Sequence, residues 1–343
     1  MSVLLEYKAQ WDLRGVHTDN ITGVAISPRG DYVATCSTDC QIVIWSLNTG
    51  QAAYHITAQS AVLSVIWTED PDVIVTGTAD GTLVTMTLTP RKLLTSAISA
   101  HTKPVECLAV NEPSAAKRRL ATAAHEEIKT WGWSNNEWAY EGAVALPSST
   151  SYSGSKPVLV TSLQWIPRME YEDDCLVIAY LYHGIRCKRV QSDNRNPVWS
   201  IHLPLCVYHS PRTKAVAVCN INPGFEVYHF PSGSGVVQIP IKRLPDELAP
   251  LPVKYVHEGT MLLCGDYEGK VRLVDARTGL HFQTLEHQEC TMIQSLDAYF
   301  DSTTCTFLVA CGGGEDGKPG VARIWKAYEA GNPRERKGDL ESK

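Results

Sequence analysis

The chain has no CxxC pair, no apolar run of membrane-spanning length, no G-x-S-x-G nucleophile turn and no surplus of basic residues. Each absence removes a class of protein. The eleven cysteines are odd in number and scattered, the first at Cys36 and the last at Cys311. Cys36, Cys219, Cys264 and Cys311 recur in or at the end of one kind of strand, as free thiols do when they serve as small core hydrophobes in a reducing compartment. The longest apolar stretches, such as 176–182, fall far short of the roughly 20 residues that cross a bilayer as a helix. Residues 1–11 carry Glu6 and Lys8 and lack the apolar core of a signal peptide. Lys and Arg total 31 against 37 Asp and Glu, a net charge of −6. Nucleic-acid binding would need a concentrated basic surface instead. No amphipathic helix of useful length is present. These exclusions predict a soluble protein of the cytoplasm or nucleus, with no membrane or nucleic-acid partner and no metal, cofactor or small-molecule ligand.

What is present is a unit that returns about every 45 residues, the size of a four-stranded propeller blade. It is clearest over residues 21–45: an alternating strand followed by Ser27-Pro28, a second strand at 32–37, a tight turn at Asp39 and a third strand containing Trp45. One such set cannot bury its own apolar faces, so the repeat demands neighbours. Two series of anchors follow the period. Ile26, Trp67, Val110, Trp165, Tyr208, Val256 and Tyr299 close the innermost strand. Trp45, Met86, Trp131, Lys188, Tyr228, Val274 and Trp325 mark the third. Seven occurrences predict seven blades. The two widest gaps in the second series contain Ser/Gly-rich 146–157 with acidic 168–174, and glycine-rich 312–320. Apolar, β-branched strands alternate with turn signals such as Asp80-Gly81, Glu268-Gly269 and Asp316-Gly317. A β-sandwich shares this composition but does not repeat one four-strand unit seven times.

These positions resemble the WD-repeat family of β-propellers over residues 3–326. In that family each repeat carries a His before the inner strand, a Ser or Thr in the second strand, an Asp in the next hairpin and a Trp in the third strand. The first repeat matches throughout, with His17, Ser37, Asp39 and Trp45. The resemblance implies a relay in which imidazole, hydroxyl, carboxylate and indole N–H satisfy one another. The second repeat keeps Thr78 and Asp80 but has Ala58 and Met86, and the third keeps His101 and Trp131 with His125 at the Asp position. The fourth has Tyr182 and Lys188 at the Asp and Trp positions, the fifth Asn222 and Tyr228, and the sixth Val274-Asp275 where Trp-Asp is usual. The implied architecture is all-β: one seven-bladed propeller of four-stranded antiparallel blades over residues 1–328, closed by an N-terminal strand. Residues 3–10 would supply the outer strand that the blade of Trp325 otherwise lacks. Residues 329–343 form a polar tail expected to be disordered.

Motifs for chemistry are weak. The run Gly312-Gly313-Gly314-Glu315-Asp316-Gly317 satisfies G-x-G-x-x-G, but a strand rather than a helix follows, so a wide hairpin is expected. His125-Glu126 and His257-Glu258 lack the second His of a zinc-protease helix. Glu170, Glu172, Asp173 and Asp174 lack the spacing of a calcium loop, and Lys117-Arg118-Arg119 reads as a charged surface loop. The stretch 274–277 resembles a box by which some WD-repeat proteins dock on cullin-type ubiquitin ligases, with Val in place of the aromatic, and also reads as a common turn.

The resulting expectation is a non-catalytic scaffold that binds a protein or peptide on one propeller face. Turns after the second strand and loops entering each inner strand share that face, and the insertions 146–157, 244–252 and 312–320 fall there. Its candidate residues are Asn20, Lys103, His125, Tyr152, Tyr182, His183, Tyr267 and Glu268. Two rival readings stand beside it: an enzyme with its site at the central channel, and a substrate receptor of a cullin-type ubiquitin ligase.

Overall fold

The computed structural model describes residues 6–89, 92–114, 117–147, 156–166, 174–190, 197–201, 206–210, 215–220, 224–229, 235–242, 250–288, 290–315 and 318–328. They form seven four-stranded antiparallel sheets. Blade one is Ile21–Ile26, Tyr32–Ser37, Gln41–Ser46 and Ala52–Thr57, from inner to outer strand. Blade two is Val62–Trp67, Val73–Thr78, Thr82–Leu88 and Leu93–Ser99. Blade three is Cys107–Ser114, Lys117–Ala124, Glu127–Ser134 and Glu137–Ala143. Blade four is Val160–Ile166, Cys175–Tyr180, Gly184–Arg189 and Trp199–Ile201. Blade five is Cys206–Ser210, Ala215–Asn220, Gly224–His229 and Gly235–Pro240. Blade six is Val253–Val256, Met261–Gly265, Lys270–Asp275 and His281–Glu286. Blade seven takes Met292–Asp301, Thr306–Gly314 and Val321–Tyr328 from the end of the chain and Lys8–Leu13 from its start. All seven third-strand anchors lie in third strands.

Each strand pattern follows from a blade being buried on both faces except at its outer strand. Second strands are mostly apolar or hydroxyl-bearing and buried, as in Val73–Thr78 and Cys175–Tyr180. Outer strands such as Ala52–Thr57 alternate towards solvent. The core is divided into seven clusters, one per interface between neighbouring blades. Blades seven and one share Leu308, Ile324, Val33, Val43 and Trp45. Blades three and four share Ala121, Ile128, Trp165, Leu176 and Tyr180. Burying every blade against two neighbours is what closes the ring.

The closure strand begins later than residues 3–10 would suggest. Pairing with the third strand of blade seven runs from Lys8↔Lys326 to Leu13↔Ala322. Tyr7 is held back on blade six, where its backbone exchanges two hydrogen bonds with the Gln283 amide (2.9 and 2.8 Å) and its hydroxyl lies 3.0 Å from His257 Nε2. Trp11 then reaches blade one, donating its indole N–H to the Leu47 carbonyl at 2.9 Å. The glycine run 312–320 also departs from the expected loop, because Gly312–Gly314 are strand. A side chain at Gly312 would meet Ile21 and Val24 of blade one, so glycine here lets two blades approach rather than loosening a hairpin.

Candidate functional site

Backbone hydrogen bonds show which loops share a face. Ala79 N–H donates to the Ala61 carbonyl, His101 N–H to Gly81, Val160 N–H to His125, Leu181 N–H to Leu159 and Ile293 N–H to Asp266. Each bond joins a turn between second and third strands to a loop entering an inner strand. Two of the turns need glycine. Gly81 (φ +88°) and Gly269 (φ +71°) are left-handed, and a Cβ at either would run into the carbonyl of the entering loop, at His101 or Cys290.

In blade one the face is fixed from below by a relay. His17 Nδ1 lies 3.2 Å from Asp39 Oδ2 and its Nε2 lies 2.7 Å from Thr35 Oγ1, to which the Trp45 indole N–H donates at 2.8 Å. Asp39 also accepts the N–H groups of Thr18 (2.8 Å) and Gln41 (2.8 Å). Burial pushes His17 below its usual value despite the neighbouring carboxylate. The neutral ring, with its proton on Nδ1 towards Asp39, is the form this network accommodates. Burial would raise the Asp39 carboxyl, but the two N–H groups and the imidazole outweigh it and hold it below the usual range.

The relay hydroxyl is therefore Thr35 rather than Ser37. Ser37 donates to the Asp19 carbonyl at 3.1 Å and accepts the Asp39 N–H at 3.1 Å, so it ties the turn to the entering loop instead. Blade three repeats the relay with a shift. His101 Nε2 lies 2.7 Å from Thr122 Oγ1, which accepts the Trp131 indole N–H at 3.0 Å, and His101 Nδ1 lies 2.7 Å from Glu127. The carboxylate is Glu127, not a group at the His125 position. The cause is a shorter hairpin: Ala124 pairs directly with Glu127, leaving only His125 (φ +52°) and Glu126 in the turn. Blade two keeps the turn lock, with Thr78 donating to Asp80 at 2.5 Å, but places Met86 where the tryptophan would stand. In blade six, buried Asp266 takes the Ser37 role, accepting N–H groups from Glu268 (2.9 Å) and Lys270 (2.8 Å).

At the centre, inner strands of six blades line a channel of about 500 Å³. In four of them the register slips after the first or second residue, leaving Thr22, Leu63, Thr161 and Gln294 outside the ladder. Among the described residues, the charged groups lining the channel are Glu106 and the ion pair of Lys254 with Asp297. Asp297 also accepts the Ile26 N–H at 2.7 Å, while Thr22 donates to the Val62 carbonyl (2.6 Å) and Ser64 to Val105 (2.8 Å). Much of the polar channel wall thus stitches neighbouring inner strands together. Among the described residues no three His, Cys, Asp or Glu are grouped to hold a metal. The polar channel-lining positions, Glu106 among them, were missed by sequence reasoning. The signal would have been a polar residue near the start of an inner strand, as at Thr22, Glu106 and Thr161.

The expected face residues separate into two groups. Lys103 is exposed, and His125, Tyr182 and Glu268 are half-buried at turns or loops of the face. Lys156 lies 4.8 Å over the Tyr182 ring, and Lys242 and Lys270 hold the Glu268 carboxyl down at about 2. Asn20, His183 and Tyr267 are buried, so they support the face more than they present it. Tyr152 and Asn222 lie outside the described residues, as do most of 146–157 and 244–252. On the opposite side, Arg118 pairs with Asp70 of blade two at 2.9 Å and Arg119 with Asp174 of blade four at 2.7 Å, so the basic run clamps three blades. Asp275 accepts the N–H groups of Arg277 (3.0 Å) and Thr278 (2.8 Å), closing a turn with Val274 buried behind it. The ten cysteines whose side chains are described are free thiols, and burial pushes Cys36 and Cys107 up to about 12.

Residues 13–46 and 50–84 match the family model described as WD domain, G-beta repeat. Among curated proteins, a stretch is 33% identical over 55 residues to the ribosome biogenesis protein BOP1 homolog of Dictyostelium discoideum, covering 16% of this chain and 7% of that protein. The corresponding protein of Aedes aegypti is 34% identical over 65 residues, or 19% of this chain and 8% of its own length. Bop1-A of Xenopus laevis is 29% identical over 58 residues, or 17% and 8%. The likeness spans less than a tenth of each of these relatives.

Proposed function

We propose, from the premise that this chain is a WD-repeat β-propeller, that it works as a non-catalytic scaffold in the cytoplasm or nucleus and binds a protein or peptide on its loop-bearing face. The observation that carries the reading is the division of labour on that face. The relays and turn locks of blades one to three and six are committed to holding loops in place. Lys103, His125, Tyr182 and Glu268 remain reachable above them. A rigid rim carrying aromatic and charged side chains suits a protein surface. The ionisable groups of the channel support the same reading, since the Lys254–Asp297 pair is engaged with the wall instead of being set out around a reacting centre. Free, buried cysteines support a reducing compartment. From the BOP1 relatives we take the kind of repeat and not their ribosome biogenesis role, because the alignments reach at most 19% of the chain.

A receptor role at 274–277 is the weaker reading. The Asp275 carboxylate is occupied by its own turn, and Val274 is buried where an aromatic docking residue would need to be exposed. The test is cross-linking with mass spectrometry on the full chain and a captured partner. Links from Lys103, Lys156 and Lys242 support the loop-bearing face, whereas links confined to Lys8 and Lys326 overturn it.

A further inference from the structure

Blade two keeps the carboxylate and hydroxyls of the relay and lacks its imidazole. Its entering loop is held as in blade three: Ala58 N–H donates to the Cys40 carbonyl at 2.8 Å, as His101 N–H donates to Gly81 at 2.9 Å. Its inner strand starts in the register of blade one, with Val62↔Thr78 matching Ile21↔Ser37. Ala58 therefore stands where blades one and three have His17 and His101. The carboxylate shows the consequence. The Asp39 side chain, covered by His17, is 4% exposed. Asp80 is exposed and, among the described residues, accepts only from its own turn, from the Thr78 hydroxyl at 2.5 Å and the Thr82 N–H at 3.2 Å. Val43, which pairs with the relay threonine of blade one, is fully buried, whereas Val84 at the same place in blade two is half-buried.

The missing ring leaves a pocket. An open space of about 320 Å³ is lined by Ala58, Ser60, Asp80, Thr82, Val84 and Ser96, among others. The turn at 78–82 and the loop entering the blade form part of its wall, which places it at the edge of the loop-bearing face. Asp80 is the one charged group in that wall. The Thr78 hydroxyl holds its carboxyl below the usual range, so it is ionised at neutral pH. Around it stand hydroxyls and the Gln59 amide, all able to accept hydrogen bonds. An anion among acceptors, beside an unfilled space, calls for a cation with several N–H groups. Charge-assisted bonds of this kind are the strong ones.

We infer that this pocket receives an arginine or lysine side chain of a protein partner, whose N–H groups take at Asp80 the place that the His17 imidazole fills at Asp39. The inference rests on the reading that the loop-bearing face binds protein, and it names the chemistry of one contact there.

The test is calorimetric titration of the full chain with blocked tripeptides that carry arginine, lysine or neutral citrulline between two glycines. A basic peptide should bind saturably, and the tighter of the two assigns the side chain. The citrulline peptide should bind at least about tenfold more weakly than that one, as expected when a hydrogen bond loses its charge. Ala58→His puts an imidazole in the pocket, as in blades one and three, and Asp80→Asn removes the charge while keeping the size of the turn residue. Each variant should fold and bind the basic peptide at least about tenfold more weakly. With a purified partner, the same two variants should weaken binding by a similar factor. Basic peptides that do not bind, citrulline that binds equally well, or undiminished peptide binding by both variants overturns the inference. So does a partner that loses affinity with Lys103→Glu and Tyr182→Ala but not with Ala58→His or Asp80→Asn, and there the loop-bearing face stands while this contact falls. A partner indifferent to all four changes overturns the face reading together with the contact.

Discussion

Blades one and four share a strand plan and differ in what fills it. Both place four antiparallel strands in one order; blade one packs Val43 and Trp45 of its third strand against the preceding blade, whereas blade four meets its predecessor through Leu176, Ile178 and Tyr180 of its second. In blade one that face ends in His17, Thr35 and Trp45, three groups whose polar atoms are mutually paired. In blade four it ends in Lys188, Arg186 and Tyr180, which do not form such a closed set with one another. The comparison teaches that the propeller needs apolar pairing between blades at every interface, but needs the relay only where loops must be held closely. A blade that gives up the relay keeps its place in the ring through its neighbours.

The comparison can be broken most forcefully by exchange. Trp45→Lys gives blade one the residue of blade four without its surroundings. It should cost about 3–5 kcal/mol in urea unfolding, from lost packing and an unpaired buried charge. Lys188→Met should be neutral or stabilising, because an apolar residue replaces a buried charge. Comparable losses in the two variants would mean that the blades are built alike after all.

Smaller effects sharpen the distinction between Thr35 and Ser37. Thr35→Val leaves the Trp45 indole N–H and the His17 ring without their shared partner and should cost about 2–3 kcal/mol. Asp39→Ala should cost about 1–3 kcal/mol by the same reasoning. Ser37→Ala removes a local tie near the turn and should cost about 1 kcal/mol. If Ser37→Ala proves the more damaging, the hydroxyl of the relay has been misassigned.

The smallest effect is in pH. Burial lowers His17 and His101 despite their carboxylate neighbours, so each takes up its proton less readily in the folded state than in the unfolded chain. Their contribution is fully present above the ordinary histidine value of about 6.5 and is lost as pH falls towards the folded values. Stability should therefore decline between about pH 7.5 and 5.5, and His17→Gln should flatten part of that slope. Asp39 works in a lower window. Its depressed carboxyl favours folding above the ordinary aspartate value and loses that contribution as pH falls through its folded value. A His17→Gln profile parallel to the parent's would remove His17 from the account.

Much of this was legible before the fold was known. The seven third-strand anchors and the turn glycines are local signals, because strand period and turn chemistry are set by neighbouring residues. Thr35 was not legible, since Thr35 and Ser37 lie two apart and point to the same side of one strand; only the reach from Trp45 separates them. Thr122 and Glu127 were hidden by a hairpin one residue tighter than that of blade one. The start of the closing strand was obscured because Tyr7 docks on blade six, a contact between residues 276 positions apart. The substitution of lysine at the tryptophan position was visible in the sequence, but its burial was not, as that depends on how two blades meet.

The central claim is that the loop-bearing face receives a protein partner, and affinity measured on matched variants of the two faces tests it most directly. One variant carries Lys103→Glu, His125→Ala and Tyr182→Ala; the other carries Arg29→Glu, Asn48→Ala and Arg277→Glu on the opposite side. With one purified partner, the first should lose at least about tenfold in affinity, as expected for removal of a hot-spot aromatic and its charged neighbours, and the second should bind as the parent does. Unchanged binding by the first variant with loss in the second would contradict the account and place the partner on the other face.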